Sequence, residues 1–218
     1  MSGDDAERSK GAAISSRRRL LNPWFLAALA GVVLIPALRP LLRFEPDPPP
    51  VSGQLPEWRL VDQNEEAFGS ADLAGDVYVA SFLFTRCLDV CPRMTASLRQ
   101  LALRYREEGV RGVRLVSFSV DPAYDTPERL RDYARSRGFD DERWRFITGN
   151  EQEVRSLVED GFEQPMGESL ILWDGAVDVA HTTRLVLVDQ GGRIRGDYGS
   201  DRLGLDEVFH RARQVLAE

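Results

Sequence analysis

Cysteine and histidine are scarce in this 218-residue chain, with two of each: Cys87 and Cys91, His181 and His210. Two thiols exclude the disulfide framework that staples small secreted domains. So few histidines leave the serines without a hydrolytic triad, and no G-x-G-x-x-G or G-K-[ST] stretch is present to support nucleotide binding. Basic charge is also in deficit, 28 Lys and Arg against 35 Asp and Glu. Residues 1–45 hold seven of the basic and four of the acidic side chains, leaving 21 and 31 from residue 46 onward, a net charge of -10. Such a body repels phosphate backbones and gains nothing from counterion release, which removes nucleic acid as a partner. The same acidity favours solubility and suits a cationic metal donor or a basic partner. What the chain does have is apolar content of 43%, enough for one sizeable core, and no internal repeat.

The N-terminal region reads as a membrane segment. Leu20 to Leu38 contains no charged side chain, and Leu41 and Leu42 resume the run after Arg39 and Pro40. A bilayer span needs about 20 mostly apolar residues, and Arg17, Arg18 and Arg19 ahead of it predict a cytoplasmic N-terminus. A cleaved signal peptide is the rival, with Ala28-Leu29-Ala30 as the small-x-small site, but Gly31 to Leu38 would leave an apolar new end. The expected organisation is a cytoplasmic basic-ended tail (1–19), a transmembrane signal anchor (20–42), a proline-rich linker (43–54) and a globular domain (55–218). The expected location is the bacterial inner membrane, single-pass, with the domain in the periplasm or outside.

Within the domain, Asp76 to Phe84 is an apolar, β-branched and aromatic run that predicts a central strand. Pro92 to Arg106 carries Met94, Leu98, Leu101 and Tyr105 at helical spacing, and Val113 to Val120 is a second strand. Thr126-Pro127 marks a capped helix start, Arg145 to Thr148 a short strand, and Asn150 the cap of a helix ending near Gly161. Residues 162–180 are irregular or a small hairpin. Arg184–Val188 and Arg193–Tyr198 flank a glycine turn, and a last helix runs from about Leu203 to Ala217. This order predicts an α/β fold of the thioredoxin-like kind, a central mixed sheet flanked by helices.

The chemistry concentrates where the first strand meets its helix. Cys91 precedes Pro92, so it lies near a helix start, where unpaired N–H groups favour a thiolate. Two cysteines four positions apart form a redox pair, a metal pair or an inert buried pair. Three intervening residues give a longer loop than C-x-x-C, and soft thiolates prefer Cu(I) or Zn. Two thiolates under-fill a structural zinc site, whereas one added imidazole makes a three-coordinate set that suits Cu(I). His181 is the candidate imidazole, with a hydrogen-bonded loop histidine as the alternative and Asp178 placed to orient its second nitrogen. Asp121 reads either as a turn former or as a residue that tunes the thiols. Asp89 reads as a loop cap or docking contact, Met166 as packing or a soft extra ligand, and His210 as a surface residue.

Three stretches together resemble the Sco/SenC family of copper chaperones and cytochrome oxidase assembly proteins: Thr85-Arg86-Cys87-Leu88-Asp89-Val90-Cys91-Pro92, Phe118-Ser119-Val120-Asp121-Pro122 with Asp125-Thr126-Pro127, and Asp178-Val179-Ala180-His181. The likeness runs from about residue 55 to 215. It departs at Leu88, where the family has proline, and at Thr182-Thr183 after the histidine. The resemblance implies copper ligands at Cys87, Cys91 and His181, with Cu(I) the expected state and Cu(II) the alternative. It implies a membrane-anchored metallochaperone passing copper to the dinuclear site of an oxidase subunit, with reduction of that subunit's cysteines as a further task. The implied partners are that subunit, a copper donor chaperone and a thiol reductant protein. Two rivals stand beside it: a thiol–disulfide oxidoreductase of the cell envelope using Cys87 and Cys91 as catalytic residues, and a copper or redox sensor or scaffold. A peroxidase has only Arg86 to support it. The missing cis-proline at Val179-Ala180-His181 favours metal over general thiol exchange.

Overall fold

The computed structural model describes residues 23–38, 46–139, 142–171, 177–181 and 183–218. The chain divides into two compact units, Met1–Asp47 and Pro48–Glu218.

The first unit contains α1 (Pro23–Leu38), 16 residues without a charged side chain. At about 1.5 Å per residue it rises about 24 Å, against a hydrocarbon core of about 30 Å. Among the described residues no helix is long and apolar enough to cross a membrane. The expected transmembrane anchor, and with it the inner-membrane location and the attachment by the chain's own helix, is thereby overturned: the helix is apolar but falls short. The tail 1–19 and the flanking residues 20–22 and 39–42 lie outside the described residues.

The second unit is built on an eight-stranded sheet with the order β1-β10-β9-β4-β5-β6-β2-β3. Its strands are β1 (Gly53–Gln54), β2 (Arg59–Asp62), β3 (Ala67–Gly69), β4 (Val77–Leu83), β5 (Val113–Ser119), β6 (Trp144–Thr148), β9 (Leu185–Val188) and β10 (Arg193–Tyr198). A separate hairpin joins β7 (Met166–Ile171) to β8 (Val177–His181). β4, β5 and β6 run parallel, while β9 pairs antiparallel with β4 and β2 with β6. This is the thioredoxin-like arrangement expected from the central strands, widened by three short strands, β1 on one side and β2 and β3 on the other, that the sequence pattern had not indicated.

Every residue of β4 is buried, as a strand flanked on both edges and covered by packing must be. Its Ser81 hydroxyl meets Ser117 of β5 at 2.7 Å, and Trp144 Nε1 donates to Ser117 at 2.9 Å. The buried polar atoms there are satisfied by one another. The helices α2 (Val90–Glu107), α3 (Pro127–Ser136), α4 (Glu151–Ser156) and α5 (Arg202–Leu216) follow the predicted order. Leu98, Leu101 and Tyr105 of α2 are buried at helical spacing. The predicted caps are present: Thr126 accepts from Arg129 N–H and Asn150 from Gln152 and Glu153 N–H. Beyond α4 the backbone widens into a π turn over Leu157–Gly161, then turns through Glu163 at φ +57° into β7.

Candidate metal centre

β4 ends at Leu83, whose carbonyl accepts from Val120 N–H at 2.8 Å, so the exit of β5 stands beside it. The chain then turns, Cys87 N–H donating to the Phe84 carbonyl at 3.3 Å, and enters α2 at Val90. Cys91 lies in the first turn of that helix, and its N–H donates to Cys87 Sγ at 3.3 Å. One N–H of the first helical turn thus serves Cys87. Cys91 is fully buried, whereas Cys87 is 9% exposed and is the sulfur that solvent reaches first. Burial pushes the Cys91 thiol far above its ordinary range, against the lowering effect of a backbone bond from Phe84. Both cysteines are free thiols, not a disulfide.

Around the pair runs a set of polar contacts between segments distant in sequence. Asp121, buried at the end of β5, accepts from Arg86 Nε at 3.0 Å and Nη2 at 2.5 Å. Its backbone also makes a turn, its carbonyl accepting from Tyr124 and Asp125 N–H. The Arg86 guanidinium lies 4.2 Å from the centre of the Tyr124 ring, and Arg129 3.8 Å from it. Asp125 is fully buried and accepts from Thr85 Oγ at 2.5 Å, Thr85 N–H at 3.1 Å and Ser119 Oγ at 2.6 Å. Burial raises its carboxyl pKa, and the bonds from Ser119 and Thr85 offset only part of that rise. These roles of Arg86, Thr85, Ser119 and Asp125 escaped the sequence reading. The available signal was that all four lie inside the motif stretches.

Asp89 occupies the N-cap position of α2, but its side chain makes no capping bond and pairs instead with exposed Arg93. Leu88 is 84% exposed. His181 is the last residue of β8, its Cα paired across the hairpin with Met166, and Asp178 is paired with Leu170. The side chains of His181 and Asp178 lie outside what is described. Met166 is buried and its carbonyl accepts from Arg155, in keeping with packing. His210 stands on α5 beside Phe209 and Asp206. Among the described residues no group of three or more His, Cys, Asp or Glu side chains forms a metal cage. The expected function of a membrane-anchored chaperone therefore fails on two findings, both made among the described residues: no helix is long and apolar enough to cross a membrane, and no ready-made cluster of metal ligands is present.

The family model described as SCO1/SenC matches residues 49–217. The chain belongs to the SCO1/SenC family. This is a family of copper chaperones and cytochrome oxidase assembly proteins, and its members bind copper. A curated relative, the SCO1 protein homolog of Bacillus subtilis (strain 168), is 29% identical over 162 residues, covering 73% of this chain and 81% of the relative. The crystal structure of a SCO1/SenC family lipoprotein from Bacillus anthracis str. Ames matches with a TM-score of 0.68 at 31% identity, over 76% of this chain and 96% of that one. The structure of Bradyrhizobium japonicum ScoI with copper bound matches with a TM-score of 0.63 at 25% identity, over 74% and 99% of the two chains. The strand–helix junction that carries the cysteine pair is thus the site to weigh in this SCO1/SenC chain.

Proposed function

We propose that this SCO1/SenC domain binds one Cu(I) ion as cargo on Cys87 and Cys91, with His181 as the third donor, and releases it by ligand exchange. The observation that carries the reading is the pair of free, adjacent thiols at the mouth of the β4–α2 junction. The copper-bound relative supports it, and soft sulfur donors select Cu(I). Two thiol protons leave as the ion binds, and a neutral imidazole completes a three-coordinate set. His181 is the third donor on chemical grounds: the other histidine, His210, is held on α5 by Phe209 and Asp206. On loading, His181 at the end of β8 joins a thiol pair that is already placed. Cys87, the more accessible sulfur, is where an incoming thiolate of an acceptor first replaces a ligand.

Thiol–disulfide exchange at the same pair is the rival reading, and the burial that raises the Cys91 pKa weakens that sulfur as a nucleophile. The test is a Cu(I) titration of the reduced protein against a competing chelator, with X-ray absorption on the loaded form. One Cu(I) per chain with two sulfur and one nitrogen neighbours is expected, and Cys87→Ala and Cys91→Ala each lose tight binding while His181→Ala weakens it. A Cys87→Ala variant binding Cu(I) as tightly as the parent chain would overturn the proposal.

A further inference from the structure

We infer that Asp125 is the positioning residue of the cysteine loop, setting where Cys87 stands through the bonds it accepts from Thr85. This rests on the reading of Cys87 as a copper-binding thiol.

Asp125 follows the turn that leaves β5 and comes just before α3, yet it does not cap that helix, because Thr126 does so with its own hydroxyl. Its carboxylate points inward instead. The hydrogen bonds described for it come from the Thr85 N–H, the Thr85 hydroxyl and the Ser119 hydroxyl. The Ser119 oxygen in turn accepts from Asp121 N–H at 3.1 Å, so its own proton is committed to Asp125. Asp121 holds Arg86, and Arg86 is covalently next to Thr85. The contacts close a ring through Thr85, Arg86, Asp121, Ser119 and Asp125, and Cys87 is the next residue out of it. A buried carboxylate is costly unless its acceptors are filled. Here they are filled by the residues whose placement fixes the thiol. An apolar residue at 125 would strand these donors and leave the start of the loop untied.

The test uses the reduced, metal-free full chain and reads the rate of Cys87 alkylation by iodoacetamide, peptide by peptide, beside Cu(I) affinity. Asp125→Ala and Thr85→Val are expected to speed Cys87 alkylation about tenfold as the loop loosens, since thiol reactivity follows exposure. Cu(I) affinity is expected to weaken about tenfold, which corresponds to about 1.4 kcal/mol. Asp125→Asn, which keeps one acceptor oxygen, should fall between these and the parent in both readouts. Thr126→Ala, which loosens the cap of α3 without entering the ring, should leave both within about twofold and so controls for lost stability. Thr85→Val leaves Asp125 in place and serves where Asp125→Ala does not fold. Unchanged Cys87 alkylation in folded Thr85→Val overturns the inference whatever the copper readout does. A parent chain that takes up no Cu(I) overturns the function proposed above and leaves the alkylation result to decide this inference alone.

Discussion

Arg195 is only 4% exposed, yet every direction its guanidinium faces is met by an acceptor. It donates to Asp189 at 3.2 Å, to the two Glu218 carboxylate oxygens at 2.5 and 2.6 Å, and to the Pro49 carbonyl at 2.8 Å. Asp189 also accepts from Gly191 and Arg193 N–H at 3.0 Å and from Arg193 Nε at 2.7 Å. Burial raises the Asp189 pKa, but these bonds outweigh it and hold the carboxyl below its ordinary value. A carboxylate whose folded pKa is lowered contributes stability above its unfolded value, about 3.9, and loses it as pH falls through the lowered value. Urea unfolding at pH 7 and at stepwise lower pH should show the parent chain losing stability across that acid window. Asp189→Asn should start less stable at pH 7 and show a flatter acid limb; an equally steep limb in the variant would assign the acid loss elsewhere. At this scale the cysteine pair was legible from spacing and from the proline that follows it. The partners were not, because Arg86–Asp121 and Thr85–Asp125 join residues 35 and 40 positions apart, a closeness that only β4 and β5 lying side by side creates.

The two helix starts near the site look alike in sequence, Asp89 before Val90-Cys91-Pro92 and Thr126 before Pro127, but they are built differently. Thr126 accepts from Arg129 N–H, whereas Asp89 makes no cap bond and the N–H of Cys91 is taken by Cys87 Sγ. Thr126→Ala should therefore cost about 1 kcal/mol in urea unfolding. Asp89→Ala gives up only an exposed pair with Arg93 and should cost less than about 1 kcal/mol. A loss at Asp89 matching that at Thr126 would mean the carboxylate caps the helix in solution. The central elements were legible because their signals are strong: β4 and β5 are rich in apolar, β-branched and aromatic residues, and α2 repeats its buried positions every three or four residues. β1, β2 and β3 were not, being two to four residues long and partly exposed, so they read as loop. The 162–180 hairpin was only half legible, since Glu163 turns the chain at positive φ without a glycine to announce it.

The whole chain separates at Asp47–Pro48, and the fold beyond that point is tied together at its two ends. Arg195 bonds both Pro49 and Glu218, and Ser52 N–H donates to the Ile194 carbonyl at 2.9 Å, leading into the pairing of β1 with β10. The expected linker, 43–54, thus includes residues that the sheet uses. A chain beginning at Pro48 keeps every contact within the second unit and is the reference for a shorter one. A chain beginning at Leu55 loses β1, the Ser52 bonds and one acceptor of a buried guanidinium. Each kcal/mol lost lowers the melting temperature of a domain this size by about 2–4 °C, so the second truncation should melt several degrees lower. Cu(I) affinity should change little, because β1 lies on the outer edge of the sheet, with β10 and β9 between it and β4, the strand that leads to Cys87. Equal melting of the two truncations would return residues 48–54 to the status of a spacer, and a fall in copper affinity with the second would mean that this edge reaches the thiol pair through the sheet.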